Sequence, residues 1–236
     1  MCRARSHPSS FPPLLSYLRS LEEQFSIIYQ TKNKGPRNIL EDEDYHRLLP
    51  EYFCLTDPDL AFNANLPADF VVQLIGLTEL HKVGKAGFSL DVSEIEKLRQ
   101  NDFLIREKRY KIWEWEAQFW LDRLADLSGN PVYKAAIDTT FAVYNKKFFR
   151  RESQMDAVRV AGQFACRHLP WYNDTRLPAE EQKYYEKMNK FSYYFGGRYR
   201  GPLTMQFVIA ALRPIHECSN LHRARGQSAL PIDRNR

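Results

Sequence analysis

The sequence predicts a mostly α protein, a multi-helix bundle with an irregular N-terminal segment and a loose C-terminal tail. Three observations predict it. Apolar residues recur at three- and four-residue steps in several windows. No window shows the strict alternation of a half-buried strand. The connections between windows are short, about two to eight residues, as between helices of a bundle. With 236 residues, 44% hydrophobic and 27% charged, the chain has ample material for a core, and wholesale disorder is excluded.

Residues 1–13 read as a disordered lead, small, polar and proline-rich. Residues 14–67 combine a helix at 14–30, carried by Leu14, Leu18, Leu21, Phe25 and Ile28, with an irregular proline-punctuated segment. That segment holds the acidic run Glu41-Asp42-Glu43-Asp44 and a turn at Asp57-Pro58. The bundle domain spans 68–222. Its first helix, 68–83, is closed by Gly84, and Lys85-Ala86-Gly87 follows as a linker. Ser93 and Glu96 have capping-box spacing and open a helical stretch to 127, re-capped at Asp102. Trp113, Ala117, Trp120, Leu124 and Leu127 form one stripe on it. Ser128-Gly129-Asn130-Pro131 is a corner: Gly129 ends one helix in the left-handed conformation, Asn130 caps the next and Pro131 occupies its first turn. Helices follow at 132–151 and 153–168, then a turn at 170–174. A helix at 178–195 is stopped by Gly196-Gly197, and a last one at 203–220 is bent at Pro214. Residues 223–236 read as a flexible basic tail.

The charge is uneven. Residues 1–145 carry 17 Lys and Arg against 21 Asp and Glu, net −4; residues 146–236 carry 17 against 8, net +9, giving +5 for the chain. A basic third points to an anionic partner. It also carries interleaved aromatics. Lys183, Lys187, Lys190, Arg198 and Arg200 are candidate phosphate contacts, and Tyr193, Tyr194 and Tyr199 candidate stacking groups for bases. The leading expectation is therefore a non-enzymatic helical accessory or regulatory protein whose basic C-terminal third contacts nucleic acid or another polyanion. The competing reading makes the aromatics core and the cations a solvated face.

No catalytic residue and no cofactor is assigned. G-x-S-x-G, P-loop and G-x-G-x-x-G patterns are absent. Cys166-Arg167-His168 and His216-Glu217-Cys218 are two Cys/His pairs of reversed order, but i, i+2 side chains diverge on a helix and zinc spacings are missing, so no metal ligand is assigned. Glu114 and Glu116, beside tryptophans, are either a buried acid pair or paired on the solvent side with the adjacent Arg109 and Lys111. Four scattered cysteines without a CxxC pair fit reduced thiols in a cytoplasmic compartment. Prolines 8, 12 and 13 interrupt any signal-peptide core, and no window is apolar enough for a membrane span.

An alternative ligand pocket is lined by Trp113, Trp120, Tyr133, Phe141 and Tyr144, with Trp115 and Phe119 nearby. The run Leu124-Ala125-Asp126-Leu127-Ser128-Gly129-Asn130-Pro131-Val132-Tyr133 resembles the helix corner in the effector domains of FadR-type regulators, helical sensor domains of the GntR superfamily. The resemblance implies a small-molecule-sensing helical domain. The sequence departs from that pattern in having no winged-helix segment ahead of the run, and Leu121 where most such domains place a histidine. A third alternative is a structural subunit of a larger assembly, with a protein partner.

Overall fold

Four buried residues, Lys85–Phe88, expected to begin a linker, form a central strand of a six-stranded mixed sheet. The computed structural model describes residues 3–6, 11–29, 38–105, 108–150, 156–175, 178–188 and 208–211. In chain order these give β1 (Arg3–Ser6), α1 (Pro12–Ser20), β2 (Ser26–Tyr29), α2 (Asn38–Glu41), α3 (Glu43–Leu48), β3 (Tyr52–Thr56), β4 (Leu60–Ala61), α4 (Phe70–His81), β5 (Lys85–Phe88), β6 (Phe103–Ile105), β7 (Lys108–Tyr110), α5 (Ile112–Ala117), β8 (Val132–Lys134), β9 (Ala142–Asn145), β10 (Ala157–Val160), β11 (Arg167–His168), α6 (Ala179–Met188) and β12 (Val208–Ala211). The sheet order is β12-β3-β9-β5-β10-β8. β10 lies parallel to β5, and β3 and β5 are each antiparallel to β9. Hence β3, β5 and β10 point the same way. Three two-stranded ribbons, β1–β2, β4–β11 and β6–β7, complete the pairing.

The helical bundle expected from the sequence is therefore corrected to an α/β fold. The reason is burial on both faces. β5, β9 and β10 are buried at every position, so they read as short apolar runs rather than as alternation. Such runs cannot be told from helix by periodicity alone. The helices expected at 132–151 and 153–168 are β8, β9, β10 and β11, and the one at 203–220 contains β12. The helix expected at 14–30 shortens to α1 and then gives way to β2. Two expectations meet the structure: α4, ended by the left-handed Lys82 (φ 52°) rather than by Gly84, and the start of the helix expected at 178–195, where α6 opens just after Pro178 and residues past Met188 lie outside the described ones.

The 128–131 corner is a hairpin turn, not a helix junction. Ser128 and Gly129 are both left-handed (φ 50° and 81°), and Leu127 and Asn130 exchange backbone hydrogen bonds of 2.8 Å. Two successive positive φ values are the signature of a primed two-residue turn. The helix corner on which the FadR-type resemblance rested is thus absent.

The core lies on both sides of the sheet. Leu74, Ile75 and Leu77 of α4 pack on Cys54, Ala86, Phe88, Val143, Val158 and Val160. The opposite face carries Phe53, Leu55, Ala142, Tyr144 and Ala157 under Leu40, Ile137 and Phe149. Glu79 fastens α4 to the sheet: its carboxylate accepts from Tyr52 Oη (2.8 Å), Asn145 Nδ2 (2.8 Å) and Lys147 Nζ (3.0 Å). These bonds hold the Glu79 carboxyl below its usual range. Gly87 leaves no room for a side chain, since a Cβ there would sit 2.2 Å from the Phe141 carbonyl oxygen and 2.8 Å from Ala142 Cα.

Two predictions follow the packing. Gly87→Ala should lower stability by about 2–3 kcal/mol in urea unfolding. Glu79→Gln should cost about 1 kcal/mol at pH 7. Because the folded carboxyl is held below its unfolded value, its contribution is present above the unfolded pKa and fades as pH falls through the folded one. The gap between the variant and the wild type should therefore narrow as the pH falls below the unfolded value, as urea unfolding at pH 7 and in acid will show.

Candidate metal centre

Since β3, β5 and β10 run in the same direction, their carboxyl ends meet at one edge of the sheet, where ligands of open α/β folds bind. The chain leaves β3 through Asp57-Pro58-Asp59. It then enters β4, which pairs antiparallel with β11 so that Leu60 faces His168. A backbone bond from Leu169 N to the Asp59 carbonyl (2.9 Å) extends this pairing. From the other side, Cys166 N donates to the Ser89 carbonyl (3.0 Å), and Asp91 N to the Cys166 carbonyl (2.8 Å). The 166–168 segment is thereby held against the end of β5.

This topology gathers Asp57, Asp59 and His168, with one ligand atom from each lying within 4.8 Å of the others. His168 Nε2 is 3.3 Å from Asp59 Oδ1. Asp57 is only 6% exposed. Its Oδ2 accepts from Thr139 Oγ1 at 2.8 Å, while its buried Oδ1 has no hydrogen-bond partner among the described residues. Burial, with Asp59 and Asp138 adding negative charge nearby, pushes the Asp57 carboxyl well above its ordinary range. Two oxygens and an imidazole nitrogen are a donor set for Mg²⁺, Mn²⁺ or Zn²⁺.

Deeper in the fold, Arg159 Nη1 donates to Glu116 Oε2 at 2.8 Å, and both side chains are at most 5% exposed. The guanidinium lies 4.0 Å from the centre of the Phe119 ring. Burial raises the Glu116 carboxyl, and Arg159 opposes that shift. On the other side of the site the His168 ring meets Trp171 edge-on at 4.9 Å. Burial also pushes the Cys166 thiol up strongly, which favours the protonated thiol over the reactive thiolate.

The residues singled out from the sequence fare differently. Lys183 is exposed on α6, and Lys187 belongs to the same helix. Lys190, Tyr193, Tyr194, Arg198, Tyr199 and Arg200 lie outside the described residues, as do His216 and Cys218. The alternative pocket is not assembled. Phe141 stacks on Phe88 (4.6 Å) beneath α4, whereas Tyr144 stacks on Phe53 (4.9 Å) on the opposite face. Trp120 meets Tyr133 edge-on at 5.3 Å, and Trp113 packs with Leu98, Ile112 and Tyr172 in a separate cluster. Glu116 faces Arg159 in the interior rather than a solvent cation. Sequence reasoning read Asp57 only as part of a turn, left Asp59 out and weighed His168 only as a zinc ligand beside Cys166. The available signal was two aspartates spaced by one residue directly after the apolar run Tyr52-Phe53-Cys54-Leu55.

Comparison with known protein families, with curated proteins and with solved structures finds no match to this chain. The reading of the site therefore stands on its chemistry.

Two outcomes are expected of variants. Asp57→Asn should raise the stability of the metal-free protein by about 1 kcal/mol at pH 7.5, because it removes a buried acid next to like charges. Glu116→Gln should lower it by about 3 kcal/mol, because Arg159 then keeps its buried charge without a counter-charge. Chemical denaturation of the full chain measures both.

Proposed function

We propose that this chain is a divalent-cation-dependent transferase whose donor carries a diphosphate, with Asp57, Asp59 and His168 holding Mg²⁺ or Mn²⁺. The observation that carries the reading is the convergence of these three side chains just past the carboxyl end of β3, with a buried Asp57 oxygen left unpaired. A hard cation on few protein ligands is completed by waters and substrate phosphates. Among the described residues this is the one such cluster, which favours a single-cation clamp on a leaving diphosphate over two-cation phosphoryl chemistry.

A nucleoside diphosphate-linked sugar suits this arrangement best. A cation held by Asp57, Asp59 and His168 would supply positive charge for the diphosphate, and Trp171, half-buried against His168, offers an aromatic ring for the sugar or the base. In the reaction an acceptor hydroxyl attacks the anomeric carbon. The bond from that carbon to the diphosphate oxygen breaks, the electron pair leaves on the diphosphate, whose charge a cation held by Asp57, Asp59 and His168 would neutralise, and the hydroxyl proton passes to solvent.

The test is thermal unfolding of the full chain with a panel of nucleoside diphosphates and their sugars, with and without Mn²⁺. A ligand at about 100 times its dissociation constant should stabilise by about 2.7 kcal/mol, a rise of several degrees, only when Mn²⁺ is present and not in Asp59→Asn. No shift with any ligand, or the same shift without cation, would overturn the reading.

A second reading is supported by the net +9 of residues 146–236 and the exposure of Lys183: this third contacts nucleic acid or another polyanion. Binding to single-stranded DNA or RNA, followed by anisotropy, should then weaken steeply with salt; salt-insensitive binding, or none at low salt, contradicts it.

A further inference from the structure

Two cations are set into the sheet face opposite α4. Lys85 is 2% exposed and Arg159 4%. Charges placed there are costly unless they are bonded, and both bond to the same stretch of chain. Lys85 Nζ donates to the Ile137 carbonyl and lies 5.5 Å from the centre of the Tyr144 ring. Arg159 Nε donates to the neighbouring Ala136 carbonyl at 2.6 Å, while its Nη1 is held by Glu116. The strand register explains the match. Ala157 of β10 sits opposite Lys85 of β5, so Arg159 lies on the same face two residues nearer the carboxyl edge.

The carbonyls that they hold lead straight into the site. Ile137 is followed by Asp138 and Thr139, and the Thr139 hydroxyl donates to Asp57 Oδ2. We propose that Lys85 and Arg159 are positioning residues: by clamping the carbonyls of residues 136 and 137 from beneath, they hold Thr139 against Asp57 and so fix the orientation of that carboxylate. The inference rests on the reading of Asp57 as a cation ligand. Groups that orient ligands from behind change metal affinity by about 10- to 100-fold when removed.

The experiment uses the full chain as wild type, Lys85→Met, Thr139→Val, the double variant and Phe149→Leu. The last weakens the same apolar cluster from a residue outside the 136–139 segment. Mn²⁺ affinity is read by electron paramagnetic resonance, and amide hydrogen exchange of residues 135–141 is read without cation. Lys85→Met and Thr139→Val should each weaken Mn²⁺ binding about tenfold. The double variant should be little worse than either, because both act through one contact, and Phe149→Leu should bind like wild type. Exchange over 135–141 should rise about tenfold in Lys85→Met and stay unchanged in Phe149→Leu. Wild-type affinity in Lys85→Met, multiplying effects in the double variant, or unchanged exchange over 135–141 would overturn the clamp. If the wild type binds no Mn²⁺, the metal reading falls by itself, and the exchange data still decide the clamp. Should Lys85→Met not fold, Arg159→Lys replaces it with the same expectations, since it keeps the charge but loses the Nε bond.

Discussion

The site turns on one constraint: a carboxylate cannot stay charged inside a protein without compensation. Asp57 stands at the end of β3, almost fully buried, with Asp59 and Asp138 near it and a single hydroxyl bonded to one of its oxygens. Either the carboxyl keeps a proton, or a cation supplies the missing positive charge. The carboxyl end of β3, the β4–β11 ribbon that delivers His168 and the loop that delivers Thr139 all converge on this one group.

The interior treats its other charges differently. Arg159 and Glu116 satisfy each other, and Lys85 finds a backbone carbonyl and an aromatic ring. Replacing such groups by apolar side chains of similar volume is often neutral for stability, so their presence calls for a role beyond holding the fold together. Their bonds to consecutive carbonyls, two residues before Thr139, supply it. A polar scaffold beneath the site gives the 136–139 segment one conformation and passes that conformation on to Asp57.

Much of this was closed to sequence reading, for physical reasons. β5, β9 and β10 are four-residue strands buried on both faces, so the period of two that betrays a strand is missing. Ser128-Gly129 has the chemistry of a helix end and of a primed hairpin turn alike, since both need left-handed residues. The two elements that were legible, α4 and α6, were those with a clear start signal or a long apolar run. The site followed the same rule. Asp57 and Asp59 sat in plain view, but Asp-Pro reads as a turn, and nothing local shows that His168, more than a hundred residues later, lies beside them. The charge asymmetry of the chain was legible in full, yet it falls mainly on residues beyond the described fold.

The most direct measurement of the central claim is anomalous diffraction from crystals of the full chain grown with Mn²⁺. The account predicts one strong peak bounded by the Asp57 and Asp59 carboxylates and His168 Nε2, absent from crystals of Asp59→Asn. Ordered Mn²⁺ elsewhere with this position empty, or a peak that survives in Asp59→Asn, would contradict it.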